Sequence, residues 1–356
     1  MKIIVDRAIP FIENRFPEDV KVTYLPGNEI SPEIVKDADA LIVRTRTRCD
    51  KDLLEGSKVK LVATATIGTD HIDIPWCEAN GITVKSAPGC NAPGVAQYVL
   101  SSLFSIGFNP ESHTLGIVGH GNVGSIVAEW AQQMGINILV CDPPRKEAAF
   151  RDVEYHDIEE VLRKSDAVTF HVPLTKDGEY PTFRMIGERE LEYMKPGAIL
   201  VNSSRGGVVD EEALKKELRR GRLKAVIDTW ENEPYIDPQL VKLAEIATPH
   251  IAGYSAQGKM RGTRMALEAV SKALSISVDL SGLECTPNPE SRITRSLIQS
   301  SYNPRVDHTS LTKSLIQNPP VVPVSTEGGI PRSLSSSFES LRNNYSYRPE
   351  PLFLYP

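Results

Sequence analysis

GIVGHGNVGS, residues 116–125, carries three glycines, Gly119, Gly121 and Gly124, in the pattern G-x-G-x-x-G. The apolar run LGIVG (115–119) reads as a strand, and NVGSIVAEWAQQMG (122–135) reads as a helix. At such a strand-to-helix turn each glycine has a use. Gly119 permits the tight turn, Gly121 lets backbone approach a diphosphate, and Gly124 lets the helix pack on the strand. Asn122 and Val123 open the helix, whose N–H groups would face the diphosphate charge. The next run, NILVCD (137–142), ends in Asp142, 18 residues after Gly124. A carboxylate there accepts both ribose hydroxyls of adenosine and repels a 2′-phosphate. The stretch therefore predicts a Rossmann domain that holds NAD. Arg145 would soften the repulsion, which leaves NADP open.

Outward from this turn, short apolar runs alternate with helical patterns. Before it come KIIVD (2–6), KVTYL (21–25), ALIVR (40–44), KLVATA (60–65) and TVKSA (83–87). After NILVCD come AVTFHV (167–172), AILVNSS (198–204), AVIDTW (225–230) and EIATPH (245–250). Near-continuous apolar strands mean burial on both faces, so each series predicts a doubly wound parallel sheet. A helix from about Ala92 to Ile106 joins the two series. A second, AQGKMRGTRMALEAVSKALS (256–275), carries the chain back to the first domain. The expected fold is α/β. It has a flavodoxin-like substrate domain (1–91 and 253–275), a Rossmann NAD domain (92–252) and a small C-terminal region (276–356). The last contains a Pro-, Ser- and Gly-rich stretch, NPPVVPVSTEGGIPRSLSSS.

The 356 residues suit two or three domains of about 100–200 residues. A net charge of −6 argues against a nucleic-acid partner or an anionic membrane surface. Five scattered cysteines without a C-x-x-C pair fit reduced thiols of the cytoplasm and predict no metal site. An acid at position 6 argues against a signal peptide, and no apolar run approaches the ~18 residues of a membrane span.

A nicotinamide implies hydride transfer. That chemistry needs a group to take the alcohol proton and a cation to hold the substrate. Arg205, Glu233 and His250 follow the last three strand runs, at carboxyl ends where α/β sheets bind ligands. Arginine grips a carboxylate in a bidentate fork. Histidine serves as base in oxidation and acid in reduction, and a neighbouring glutamate stabilises its cation and fixes its tautomer.

This ordered set resembles the D-2-hydroxyacid dehydrogenase family with its Arg–Glu–His trio. VATATIGTDHIDI (62–74) is similar to that family's substrate-domain loop, and APGCNAPGVAQYV (87–99) to its hinge. TFHVPLTKDGEYPT (169–182) and HIAGYSAQGKMRGT (250–263) resemble a branch that acts on a phosphorylated sugar acid. VDHTSLTKSLI (306–316) and FESLRNNYSYR (338–348) resemble that branch's extra C-terminal dimerisation region.

The resemblance implies a homodimer with Arg205, Glu233 and His250 catalytic. It puts Thr45, Thr66 and Tyr254 on the substrate, and Asp142, the backbone of Val172, Ser203, Asp228 and Gly253 on NAD. Ser204 departs from the Gly or Ala common before the family's arginine. Arg44, Arg46, Lys259 and Arg261 are the candidates for the phosphate of the substrate. Arg44 and Arg46 are expected on one face of an extended segment. Two alternatives stay open: a dehydrogenase of another 2-hydroxy acid such as 3-phosphoglycerate, and a non-enzymatic NAD-sensing protein on the same fold.

Overall fold

The computed structural model describes residues 1–150, 153–287, 292–317 and 332–353. The chain divides into two units: Met1–Asn91 with Ser255–Asn288, and Ala92–Tyr254 with Pro289–Pro356.

The first unit holds β1 (Lys2–Asp6), β2 (Lys21–Leu25), β3 (Ala40–Val43), β4 (Leu61–Thr64) and β5 (Thr83–Lys85). They pair in parallel in the order β2-β1-β3-β4-β5, the flavodoxin-like arrangement. Both faces are covered, as the apolar runs require. Leu41, Val43 and Val62 pack with Leu54 and Cys77 on one side. Ile3, Ile42 and Ala63 pack on the other with Ala266, Leu267 and Val270 of the helix Ala256–Leu274. That helix starts where the Ser255 hydroxyl accepts the Gly258 N–H at 3.0 Å. The strand order reverses between β1 and β3, so Asp6 and Arg44 stand at the switch point where such sheets bind ligands.

The second unit holds β6 (Thr114–Val118), β7 (Asn137–Cys141), β8 (Ala167–Phe170), β9 (Ile199–Asn202), β10 (Lys224–Ile227) and β11 (Ile246–Ala247). All are parallel, in the order β11-β10-β9-β8-β6-β7. A single parallel bridge from Val140 to Tyr155 continues the sheet beyond β7. The Rossmann order is thus complete, with its outermost strand reduced to one bridge. All eleven strands overlap the runs read from sequence, and most stop one to three residues short at the carboxyl end. Those residues leave the ladder to form site loops.

The C-terminal region departs from the expected separate body. Ile276, Val278, Leu280 and Leu283 pack on the core of the first unit. Ile298, Leu311, Leu315 and Phe338 enter the cores of the second, from the helices Arg295–Ser301, Pro304–Gln317 and Arg332–Asn343. Apolar side chains in these segments bury where the nearest uncovered core lies, so the tail is structural tissue of both units. The apolar piece VVPV (321–324) lies outside the described residues. Gly253 and Tyr254, read from sequence with the substrate domain, belong to the second unit. Among the described residues no helix is long and apolar enough to cross a membrane.

Candidate active site

The glycine turn has the predicted geometry. Gly119 has φ +91°, and a Cβ there would stand 2.5 Å from the His171 carbonyl oxygen. A Cβ on Gly124 would stand 1.9 Å from the Gly119 carbonyl oxygen. Gly121 caps the helix Asn122–Gln133 without a side-chain hydrogen bond, and a Cβ there would meet open space. The first helical N–H groups thus face an unfilled cradle, which fits a diphosphate. Asp142 closes the same loop. One of its oxygens accepts the His120 N–H at 2.7 Å, the other the Arg145 N–H at 3.1 Å. Each carboxylate oxygen accepts more than one hydrogen bond, so capacity for ribose hydroxyls remains. The Arg145 side chain turns to Tyr155 Oη at 3.1 Å and lies 4.2 Å above the Phe150 ring. Val172 Cγ1 lies 3.0 Å from where a Gly119 Cβ would be, a packing role for its side chain. Ser203 Oγ is buried with no partner among the described residues. An orphaned buried hydroxyl costs about 1–3 kcal/mol.

The catalytic candidates come together in the second unit. His250 Nδ1 donates to Glu233 Oε2 at 2.7 Å, which leaves Nε2 to take or give a proton. Glu233 Oε1 accepts the Trp230 N–H at 3.0 Å. Burial works to raise the Glu233 carboxyl, but the adjacent His250 and these hydrogen bonds hold it below the usual carboxylate range. Glu211, pushed up to about 7 by burial, accepts the Glu231 N–H at 2.7 Å and steadies the same loop. Arg205 rides on a loop fixed by Asn202, whose Nδ2 donates to the Arg205 carbonyl at 3.0 Å. The Ser204 hydroxyl donates to Asn202 Oδ1 at 2.9 Å, so this departure from the family pattern is satisfied internally. A Cβ on Gly206 would stand 1.9 Å from the Trp230 carbonyl oxygen. The arginine loop and the glutamate loop are therefore pressed together, backbone to backbone.

Asp228, read from sequence as a cofactor contact, also anchors the turn that follows His250. It is 1% exposed and accepts from Thr248 Oγ1 at 2.7 Å and from the N–H groups of Ile251 and Ala252 at 2.8 and 2.9 Å. Burial pushes its carboxyl up. The turn it anchors holds His250 at φ +56°, a left-handed conformation that costs a non-glycine residue about 1–3 kcal/mol. Gly253 and Tyr254 follow on this turn. The Tyr254 ring stands edge-on to Tyr345 and Tyr347 at 5.9 and 6.2 Å.

Thr45, Thr66, Arg44, Arg46, Lys259 and Arg261 all lie in the first unit. The expected extended segment at 44–46 is a turn, closed by Thr47 N–H to the Arg44 carbonyl at 3.2 Å. Thr47 Oγ1 donates to the Gly27 carbonyl at 2.9 Å and pins the turn to the sheet edge, so Arg44 and Arg46 do not share a strand face. Arg44 Nε reaches buried Asp6 at 3.4 Å. Thr45 is exposed, whereas Thr66 Oγ1 bonds to Thr64 Oγ1 at 2.7 Å and to the Gly68 carbonyl at 3.1 Å. On the long helix, Arg261 Nε donates to the Cys90 carbonyl at 2.8 Å, and Lys259 lies half-buried two residues before it.

Three comparisons bear on this geometry. Residues 100–252 match the family model described as D-isomer specific 2-hydroxyacid dehydrogenase, NAD binding domain. The erythronate-4-phosphate dehydrogenase of Bacteroides fragilis is 43% identical, over 98% of this chain and 97% of that one. The chain belongs to the erythronate-4-phosphate dehydrogenase family. Another member, from Escherichia coli, is 39% identical over 100% of this chain and 93% of its own. A solved NAD⁺-bound 3-phosphoglycerate dehydrogenase of Entamoeba histolytica is 28% identical with a TM-score of 0.63. It covers 77% of this chain and 95% of its own. Similarity to the erythronate-4-phosphate dehydrogenases thus runs through the tail, whereas the solved structure stops short of covering the whole chain. What sequence reading missed lies in that tail, where Arg348 donates to the carbonyls of Ile251 and Ala252 beside His250. FESLRNNYSYR was noticed, but nothing local marks which of its arginines turn inward.

Proposed function

We propose that this chain oxidises 4-phospho-D-erythronate at C2 to (R)-3-hydroxy-2-oxo-4-phosphooxybutanoate, an NAD-dependent step of pyridoxal 5′-phosphate biosynthesis. The observation that carries it is the His250–Glu233 pair at 2.7 Å, in the unit that matches the NAD-binding domain of 2-hydroxyacid dehydrogenases. Arg205 holds the C1 carboxylate and polarises C2. The C2 hydroxyl proton passes to His250 Nε2, and Glu233 stabilises the imidazolium that forms. Bound NAD supplies the acceptor for the C2 hydride. Ser203, Asp228, Gly253 and the backbone of Val172 are proposed cofactor contacts, with Asn122 and Val123 at the helix start. Thr45, Thr66 and Tyr254 are proposed substrate contacts. At least one of Arg44, Arg46, Lys259 and Arg261 takes the phosphate.

The test is a screen of 4-phosphoerythronate, 3-phosphoglycerate and D-lactate with NAD, read by nicotinamide absorbance near ~340 nm. 4-Phosphoerythronate should react fastest. Much better use of 3-phosphoglycerate would replace the substrate and keep the dehydrogenase; no absorbance change with any would favour a binding protein. Unphosphorylated erythronate should lose catalytic efficiency, partly in turnover itself, because a remote phosphate positions C2. Equal rates for the two acids would remove the phosphate site.

Asp142→Ala should weaken NAD binding about tenfold or more, since each charge-assisted hydrogen bond contributes ~1.5–3 kcal/mol. Titration calorimetry measures this, and unchanged affinity would exclude Asp142 from the ribose. Arg145, turned to Tyr155 and Phe150, favours NAD over NADP.

A homodimer is proposed from the tail's resemblance and from Val306, 60% exposed at the start of the helix Pro304–Gln317. Ile298, Leu315 and Leu352 of the tail pack within the second unit and lend the dimer no surface. Sedimentation at micromolar concentration should give a dimer, and a monomer there would end the idea. A cytoplasmic location is supported by the cysteines, none of which is in a disulfide among the described residues.

A further inference from the structure

The peptide units after His250 are gripped along both edges. Their N–H groups, from Ile251 and Ala252, point to the buried Asp228 carboxylate at 2.8 and 2.9 Å. Their carbonyls point the other way, to Arg348. Its Nη1 donates to the Ile251 carbonyl at 3.1 Å and to the Tyr254 carbonyl at 3.4 Å, and its Nη2 donates to the Ala252 carbonyl. The same guanidinium donates to the Gly94 carbonyl at 3.0 Å and to Gln97 Oε1 at 2.9 Å, and lies 4.3 Å over the Tyr302 ring. Arg348 is buried, yet among the described residues none of its hydrogen bonds goes to a carboxylate. Asp307 answers its charge at one remove, through the hydroxyls of Tyr302 and Tyr345 at 2.6 and 3.0 Å. A buried charge spent on carbonyls is costly unless geometry demands it. Here the geometry is that of a clamp. A planar fork with five N–H groups spans several carbonyls at once, which an ammonium does not do.

We propose that Arg348 is a positioning residue for His250: with Asp228 it fixes the left-handed turn 250–254 from opposite edges and so aims the imidazole for proton transfer. The proposal rests on the dehydrogenase reading of His250. It gives the C-terminal segment a part in turnover that is independent of any role in dimerisation. The neighbours agree with it. Tyr345 Oη accepts from Arg348 at 3.2 Å while its ring stands against Tyr254. Tyr98 Oη bonds to Thr248 Oγ1 at 2.7 Å and supports the hydroxyl that reaches Asp228.

The test uses the full-length enzyme with three variants, Arg348→Met, Arg348→Lys and Tyr345→Phe. Hydrogen exchange of the amides at 251–254 should rise about tenfold in Arg348→Met, while the strands of the NAD-binding sheet keep their protection and NAD affinity stays within about threefold. Turnover should fall about 10–100-fold, the scale of a misplaced catalytic group. Arg348→Lys should behave alike, because it keeps the charge and loses the fork. Tyr345→Phe removes one acceptor and should give the same exchange signature in weaker form, which decides the matter if Arg348→Met does not fold. Unchanged exchange at 251–254 in a folded variant would overturn the proposal, as would turnover of Arg348→Met within twofold of the wild type. The exchange readout needs no substrate. If the wild-type chain oxidises none of the tested acids, the functional reading fails and the clamp is still judged by exchange.

Discussion

His250→Asn should slow turnover by about 10²–10⁴-fold, the usual worth of a positioned general acid–base group. The expectation follows from a ring whose Nδ1 is committed to Glu233 at 2.7 Å, so that Nε2 alone exchanges the substrate proton. Glu233→Gln keeps a hydrogen-bond acceptor and loses the charge that stabilises the imidazolium formed in the reaction. Turnover should fall less than for His250→Asn. The fold adds an acid-side effect. The Glu233 carboxyl is held below its usual range in the folded chain, so the stability its ionisation contributes is present above about pH 4.3 and fades as pH falls through the depressed value. Steady-state rates of both variants check the turnover statements and denaturant unfolding of the wild type from pH 3 to 7 checks the stability one; a near-normal His250→Asn enzyme would remove the histidine from the mechanism.

Arg205→Ala should cost about 3–6 kcal/mol of transition-state stabilisation. A carboxylate held by two charge-assisted hydrogen bonds gains ~1.5–3 kcal/mol from each. In catalytic efficiency this is about 10²–10⁴-fold, and it should fall alike on erythronate and its 4-phosphate, because both present the same C1 carboxylate. Neutralising the true phosphate cation should instead erase most of the difference between the two. Arg205→Lys should recover little, since an ammonium does not reproduce the planar fork. An Arg205→Ala enzyme that no longer distinguishes the two acids would reassign Arg205 to the phosphate.

The parts legible in the sequence are those that backbone physics writes locally. A buried parallel strand must be apolar throughout, so all eleven strands were visible as runs. A diphosphate turn must be bare, so Gly119, Gly121 and Gly124 declared it, and the steric limits at 119 and 124 agree. Arg205, Glu233 and His250 were legible because their strands were, and a strand's carboxyl end is where sites form. What was not legible depends on long-range packing. Arg44 and Arg46 continue an apolar run, but the Thr47 hydroxyl finds the Gly27 carbonyl and bends the segment into a turn. No sequence pattern shows that Thr248, Ile251 and Ala252 converge on Asp228. Arg348 lies almost a hundred residues beyond the turn whose carbonyls it meets, at the end of FESLRNNYSYR, where no local pattern shows which side chains turn inward.

The division of the chain at Asn91 and Tyr254 also has a bearing on descent. Every 2-hydroxy acid shares its C1 carboxylate and C2 carbinol, and the residues assigned to those atoms, together with the cofactor turn, sit in one unit. Of the candidates for the part that varies between substrates, four basic residues and two threonines sit in the other, and Tyr254 alone stays with the histidine. New specificities could then arise by drift in one unit while the hydride machinery is inherited unchanged. A chimera that keeps Ala92–Tyr254 and its tail and borrows the remaining segments from a relative with a different substrate is the laboratory form of that history.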